Sequence, residues 1–389
     1  MTTEPPRVAY RELARLFLRL SLTAFGGPVA HVAMAEDEIV VRRRWLTREH
    51  YLDLIAATNL IPGPNSTEVM IHVGYVLRGI PGAILSGACF ILPTAALTLA
   101  LAVLYVRTGT IPAVEALLWG IKPVIVAIIA NAGYRLVPSA LKSPLLWLTC
   151  AGAAGAILFL HTPEVIAMLG AGVIYAMIAV RPRLPLASAL VLVQPLMQSA
   201  ISEAARAGVG EVFFYFLKIG SVLFGSGYVL IAYIQQDLVN TFRWLNTREL
   251  LDAIAIGQIT PGPVSSTAAV VGYIVAGLPG AVAATLGIFL PSFVLVILTA
   301  PLIPRMRRSR LMGAFLDGVN AGVIAAIGVT VAHLAGEALQ PLPALPATGM
   351  IAIGLAVAAL FALIRFRINA TWLIAAGAIV GLALQGISR

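Results

Sequence analysis

Two short stretches constrain this chain more than any others: Pro62-Gly63-Pro64 and Pro261-Gly262-Pro263. Each sits inside a long apolar run, and small polar residues follow, Asn65-Ser66-Thr67-Glu68 in one case and Val264-Ser265-Ser266-Thr267 in the other. Proline lacks an N–H and fixes φ, and glycine opens backbone angles that no helix uses, so a helix cannot run through either stretch. Proline also suits the first turn of a new helix, and Ser, Thr and Asn suit its start. Each stretch therefore predicts a broken helix with a fresh one beginning just after it. A helix N-terminus carries partial positive charge and spare N–H donors, which together attract an anion. Within a membrane, backbone freed at such a break must face protein or a hydrated cavity. The pattern points to a membrane carrier of anions.

Composition supplies the membrane. Hydrophobic residues make up 60% of the chain and charged ones 11%, against about 45–50% and about 25% in soluble domains. Thr94–Val106, Ile351–Ile364 and Leu373–Leu384 are uncharged apolar runs. The net charge of +9 has no soluble basic domain to carry it, so nucleic acid is excluded as a partner, and loop arginines under the positive-inside rule explain it. Residues 1–16 hold Arg7, Arg11 and Arg15 with no short apolar core before a cleavage site, so no removable signal peptide is expected. Cys89 and Cys150 lie in apolar segments and are expected to pack rather than bridge. His31 and His72 have no Cys or second His at ligand spacing, so no metal is expected. No Gly-x4-Gly-Lys-Ser/Thr loop is present to use ATP, and no cofactor is expected.

The chain is one unit written twice. At an offset of 199, Phe25-Gly26 matches Phe224-Gly225, Trp45-Leu46 matches Trp244-Leu245, and Pro62-Gly63-Pro64 matches Pro261-Gly262-Pro263. One residue is then lost. At 198, Gly74-Tyr75 meets Gly272-Tyr273, Pro81-Gly82-Ala83 meets Pro279-Gly280-Ala281, and Leu92-Pro93 meets Leu290-Pro291. This divides the chain into residues 1–181 and 203–389, joined by an apolar crossing at 182–202.

The pieces Arg11–Ala24 and Pro28–Val41 have 14 residues each, about 21 Å of helix against a membrane core about 30 Å thick. They read as a re-entrant hairpin or a broken span, and Trp45–Ile61 with Pro64–Leu77 repeats the pattern. Four ordinary spans follow in each half. A single crossing between the halves turns the second upside down, and the charges agree. Arg107 stands alone where its counterpart loop holds Arg305, Arg307, Arg308 and Arg310, whereas Arg135 and Lys142 face an uncharged run. Inversion assigns 17 of the 26 Lys and Arg to cytoplasmic loops and 5 outside, with the N-terminus cytoplasmic and the C-terminus outside. The expected fold is an all-α polytopic membrane protein of two inverted-topology repeats with broken or re-entrant helices and about 13 membrane segments.

Inverted repeats with discontinuous helices are the design of secondary transporters, whose substrate sits near the midplane between the repeats. The breaks at Gly26-Gly27, Gly63, Gly225-Ser226 and Gly262 would bring up to four helix N-termini towards one point, and Asn65, Ser66, Thr67, Ser226, Ser265, Ser266 and Thr267 would bind oxyanion oxygens. The alternative for these small residues is close helix packing. Lys122, deep in a span, is expected either to balance the anion or to pair with Asp317. Arg19 and Lys218 are repeat partners, read as charge candidates or as side chains snorkelling to the interface. Glu68 is read as a helix-dipole partner or as a titrating carboxylate for proton coupling.

With Gly79-Ile80-Pro81-Gly82 and Gly277-Leu278-Pro279-Gly280 added, the paired motifs over nearly the whole chain closely resemble the two-domain chromate ion transporter (CHR) family. The resemblance implies an inner-membrane carrier that exports chromate and confers resistance, with antiparallel halves. Sulfate, an isosteric tetrahedral dianion, is the rival or exchanged substrate, and a passive anion channel is a second class. An enzyme is not expected. Lipid surrounds the chain, and a homodimer is a further expectation.

Overall fold

The computed structural model describes residues 8–109, 111–180, 207–224, 227–301, 309–341 and 348–387. All regular structure among these residues is helical. The linking crossing expected at 182–202, together with Gly225 and Ser226, lies outside the described residues.

The first half runs α1 (Tyr10–Thr23), α2 (Gly27–Glu36) extended by a π-helical turn at Asp37–Arg42, α3 (Arg48–Thr58), α4 (Asn65–Thr108), α5 (Pro112–Ala140), α6 (Pro144–Leu160) and α7 (Glu164–Val180). The second half repeats this order. It comprises α8 (Val209–Val222), α9 (Val229–Ile234) with a π-helical turn at Gln235–Thr241, α10 (Thr247–Ile259), a 3-10 turn at Val264–Ser266 leading into α11 (Thr267–Thr299), α12 (Arg310–Ala338), α13 (Thr348–Phe361) with a π turn at Ala362–Phe366, and α14 (Ala370–Ile387). Five of these stretches, at 65–108, 112–140, 264–299, 310–338 and 348–366, are long and apolar enough to cross a membrane. The chain is an all-α, multi-pass membrane protein.

Local chemistry sets the boundaries. The helix expected from Trp45 starts only at Arg48, because the Thr47 side chain caps it by accepting from the His50 N–H at 3.2 Å. The one expected from Trp244 starts at Thr247, where Asn246 and Glu249 form a capping box. As expected, the crossings at Pro81 and Pro279 are helices distinct from the pieces before them, although no loop intervenes. Each joins its predecessor through a tight kink, at Arg78 (φ −146°) and Gly79 (φ 63°) in α4 and at Ala276 (φ −137°) and Gly277 (φ 65°) in α11. Two kinks with the same angles at matched positions mark one local fold used twice.

The halves interlock. α5 of the first packs on α13 and α14 of the second, while α12 of the second packs on α6 and α7 of the first, and α4 meets α11 between them. Close approach at the two exchanged contacts depends on glycines 198 residues apart. A Cβ on Gly120 would strike the backbone of Gly377 and Gly381, and one on Gly318 the backbone of Ala171 and Gly172. With lipid as solvent, such small-residue packing is what holds helices together.

Gly120→Leu and Gly318→Leu are accordingly expected to lower the melting temperature of the detergent-purified protein, by overpacking worth about 1–3 kcal/mol each or more. Gly152→Leu, where a Cβ meets nothing within 4 Å, should leave it unchanged. Equal melting points in all three would contradict this packing.

Candidate functional site

Each half releases backbone groups at its breaks, and the halves satisfy one another. After α1 the chain turns extended at Ala24, and after α8 it does so at Leu223, leaving both carbonyls free of their helices. The Gly262 N–H donates to the Ala24 carbonyl at 2.9 Å, and the Gly63 N–H donates to the Leu223 carbonyl at 2.6 Å. Donors and acceptors alike are separated by 199 residues, so one interaction is made twice. Both glycines are required. Their φ values are +147° and +91°, and a Cβ would overlap the Glu68 carboxyl and the Ser292 hydroxyl at Gly63, or the Thr94 hydroxyl at Gly262. Thr94 and Ser292 are themselves repeat partners, each following a proline inside its helix.

Around these bonds lies a cluster of buried polar atoms. Among the described residues, the side-chain oxygens of Thr67, Glu68, Ser265, Ser266, Thr267 and Ser292, with Asn65 Oδ1 and both ring nitrogens of His72, have no hydrogen-bond partner. Each unsatisfied buried group costs about 1–3 kcal/mol. The five hydroxyls are available as donors to an acceptor-rich group. His31 is spoken for: its ring nitrogens lie 3.1 Å from the Ala24 carbonyl and 3.4 Å from Ser66 Oγ, and it packs on Phe90.

A void of about 10 Å³ lined by Pro28, Pro64, Asn65, Ser66, Gly227, Pro263, Val264 and Ser265 separates the helix starts. The first turns of α2 and α4 and the 3-10 turn before α11 therefore converge, with the residue two before α9 beside them. The void has room for a water molecule at most. Beside it opens a cavity of about 550 Å³ that shares Pro28, Asn65 and Ser66 and widens past Thr58, Asn131, Arg135, Tyr228, Arg367 and Asn369. The two halves differ in their contributions to its wall. In the first half, Val29 on α2 is 72% exposed, whereas its counterpart Tyr228 is 8% exposed and every residue of α9 is buried.

The other expected charges lie elsewhere. Lys122 does not pair with Asp317. Its Nζ stands 3.0 Å from Asp252 Oδ1, and the Tyr105 hydroxyl donates to Asp252 Oδ2 at 2.8 Å. Asp317, near the start of α12, pairs instead with Lys142 at 3.3 Å. The sequence alone could not foresee that α10 packs against α5. Arg19 is outside the cavity in a surface groove, 3.3 Å from Glu38, which Arg42 and Arg43 also contact. Lys218 acts on Asp237, the repeat counterpart of Glu38. Thr94, Ser292, Asn131, Arg135, Arg367 and Asn369 were missed. The proline-hydroxyl pairs Pro93-Thr94 and Pro291-Ser292 carried a signal for the first two.

A family model described as "Chromate transporter" matches residues 11–176 and 210–382. The chain is 32% identical to a "Chromate transport protein" of Pseudomonas aeruginosa, over 98% of this chain and 94% of that one. It is 31% identical to the protein of the same description in Cupriavidus metallidurans, over 97% and 94%. A "Probable chromate transport protein" of Synechococcus elongatus is 30% identical over 87% and 88%. No solved structure matches.

Two outcomes follow from the geometry. Gly63→Val and Gly262→Val, which break the reciprocal bonds, should abolish solute movement while membrane levels measured by immunoblot persist; full activity would remove the breaks from the site. Lys122→Met alone should destabilise the protein by about 3–5 kcal/mol, and the double variant with Asp252→Leu should recover most of that. Failure of the double variant to recover would show that Lys122 does more than neutralise Asp252.

Proposed function

The chain belongs to the chromate transporter family, and from that membership we propose that it exports chromate across the inner (plasma) membrane by alternating access, conferring chromate resistance. It is a chromate transporter and not an enzyme. The single observation that supports the mechanism is the cavity that reaches the paired breaks, sharing Pro28, Asn65 and Ser66 with the void between them. In this reading the anion enters the open side and meets Asn65, Ser66 and Thr67 at the start of α4, near the break at Gly26 and Gly27. Movement of the halves then closes that side and opens a path by Ser265, Ser266 and Thr267; Gly225 and Ser226 keep the binding role that the sequence assigns them. Both clusters belong to one site presented alternately.

Inversion of the repeats, 1–181 against 203–389 about the 182–202 crossing, with about 13 segments, belongs to the same proposal. The pairing of helix ends supports it. Arg248 at the start of α10 pairs with Glu115 at the start of α5, and Trp119 donates to the Gln340 carbonyl, all at one end of the bundle. Arg135 donates to the Leu363 carbonyl and Lys142 meets Asp317 at the other end. Among the described residues Arg135, Lys142, Arg310, Arg365 and Arg367 collect at this second end, which is cytoplasmic by the positive-inside rule. The N-terminus is then cytoplasmic and the C-terminus outside, and the cavity opens inward.

An inside-negative potential by itself favours efflux of an anion, by about 2.3 kcal/mol per charge per 100 mV. Proton coupling would use Glu68, whose carboxyl is enclosed without a partner beside Gly63; exchange with another anion needs no such group. Sulfate transport on the same scaffold is the second reading, because hydroxyl donors serve any tetrahedral dianion. Lipid contacts the exposed apolar faces, and a homodimer is retained in the proposal.

Uptake of chromate and of sulfate into inverted membrane vesicles, with and without a pH gradient, tests the reading. Accumulation of chromate above the bath concentration is expected. Equilibration alone would make the protein a channel, and accumulation of sulfate in place of chromate would make it a sulfate carrier.

A further inference from the structure

The cavity above the breaks contains its own set of polar groups, contributed by both halves and distinct from the hydroxyl clusters. Asn131 and Arg135 project from α5, one turn apart. Arg367 and Asn369 come from the loop between α13 and α14. Arg135 is held by donating from Nη2 to the Leu363 carbonyl at 3.3 Å, just before that loop. Asn369 lies against the first break, since a Cβ on Gly26 would be 3.8 Å from its amide. Arg367 caps its helix in the left-handed region, φ 54°, a conformation uncommon for a non-glycine residue.

Two features give this set a purpose. Asn131 is only 7% exposed, and its Oδ1 has no partner among the described residues although it lines the cavity. Among the described residues the lining also carries two guanidinium groups and no carboxylate. A cavity of one sign with apolar walls focuses its field and raises the local concentration of oppositely charged solute. Arginine forks match the oxygens of a tetrahedral oxyanion, and the asparagine amides add donors.

We propose that Asn131, Arg135, Arg367 and Asn369 form an anion-loading site in the mouth of the cavity, which takes up a tetrahedral dianion from the cytoplasmic side before it reaches the breaks. The proposal rests on the transport reading and deepens it. The dianion docks first on the paired arginines, with its remaining oxygens towards Asn131 and Asn369, and then passes inward to Asn65 and Ser66. Loading governs how much solute is captured at low concentration and leaves the turnover of the breaks unaltered. Arg135 and Arg367 come from different halves, and the Arg135–Leu363 bond keeps them side by side.

The experiment compares wild type, Arg135→Gln/Arg367→Gln and Arg135→Lys/Arg367→Lys in inverted vesicles, with chromate varied at low and at high ionic strength. At low salt the glutamine variant should show KM raised about tenfold or more with kcat within about twofold, and a flatter salt dependence of kcat/KM. The lysine variant should recover most of the loss. The same proteins in detergent are then heated with chromate or sulfate, and the dianion should raise the melting temperature of wild type and not of the glutamine variant. Unchanged KM and salt dependence, or equal stabilisation of both proteins, would overturn the loading site. If wild type moved no chromate and yet was stabilised by it through these arginines, the transport reading would fail and the loading site would stand.

Discussion

The structure depends on how it disposes of backbone groups that broken helices leave unpaired. In hydrocarbon such groups cost several kcal/mol each, so a helix may be interrupted only where another element answers it. Here the answer is mutual. Gly63 closes the break after α8, and Gly262 closes the break after α1. His31 of the first half also reaches the Ala24 carbonyl, but each break takes a backbone donor from the other half, which ties the two copies together at this point. The glycines cannot be replaced without striking Glu68 and Ser292 or Thr94.

From that constraint the site follows. Bringing the breaks together also brings together the starts of α2, α4 and the turn before α11, and with them the hydroxyls that small-residue packing leaves without partners. Lys122, the buried lysine among the described residues, is neutralised by Asp252 across the halves. On the proposed reading an anion here would meet dipoles and hydroxyls and no unbalanced lysine, which suits a guest that must leave again. The two halves differ where function needs them to differ: Val29 is open and Tyr228 is closed.

Much of this was legible in the chain. Pro-Gly-Pro, Phe-Gly and the offset of 199 located the breaks, because proline and glycine act on the backbone wherever they stand. Helix starts at Arg48 and Thr247 were misjudged by three residues, since Thr47 and Asn246 cap locally and outweigh the apolar Trp-Leu pairs before them. Long-range partners were not legible. Sequence symmetry pairs Lys122 with Asn320 but says nothing of α10 lying against α5, so Asp252 went unforeseen. The arginines of the cavity mouth looked like ordinary loop charges, because only the fold sets Arg135 near Arg367.

The central claim, two oppositely facing copies meeting at one site, is tested most directly by labelling from each side. In a background with Cys89 and Cys150 replaced, Ser66→Cys and Ser265→Cys are exposed to a charged, membrane-impermeant thiol reagent applied to right-side-out or inverted vesicles. The account predicts that the thiol at position 66 reacts from the cytoplasmic face and that at 265 from the outer face, with chromate protecting both. Reaction of both from the same face would contradict it.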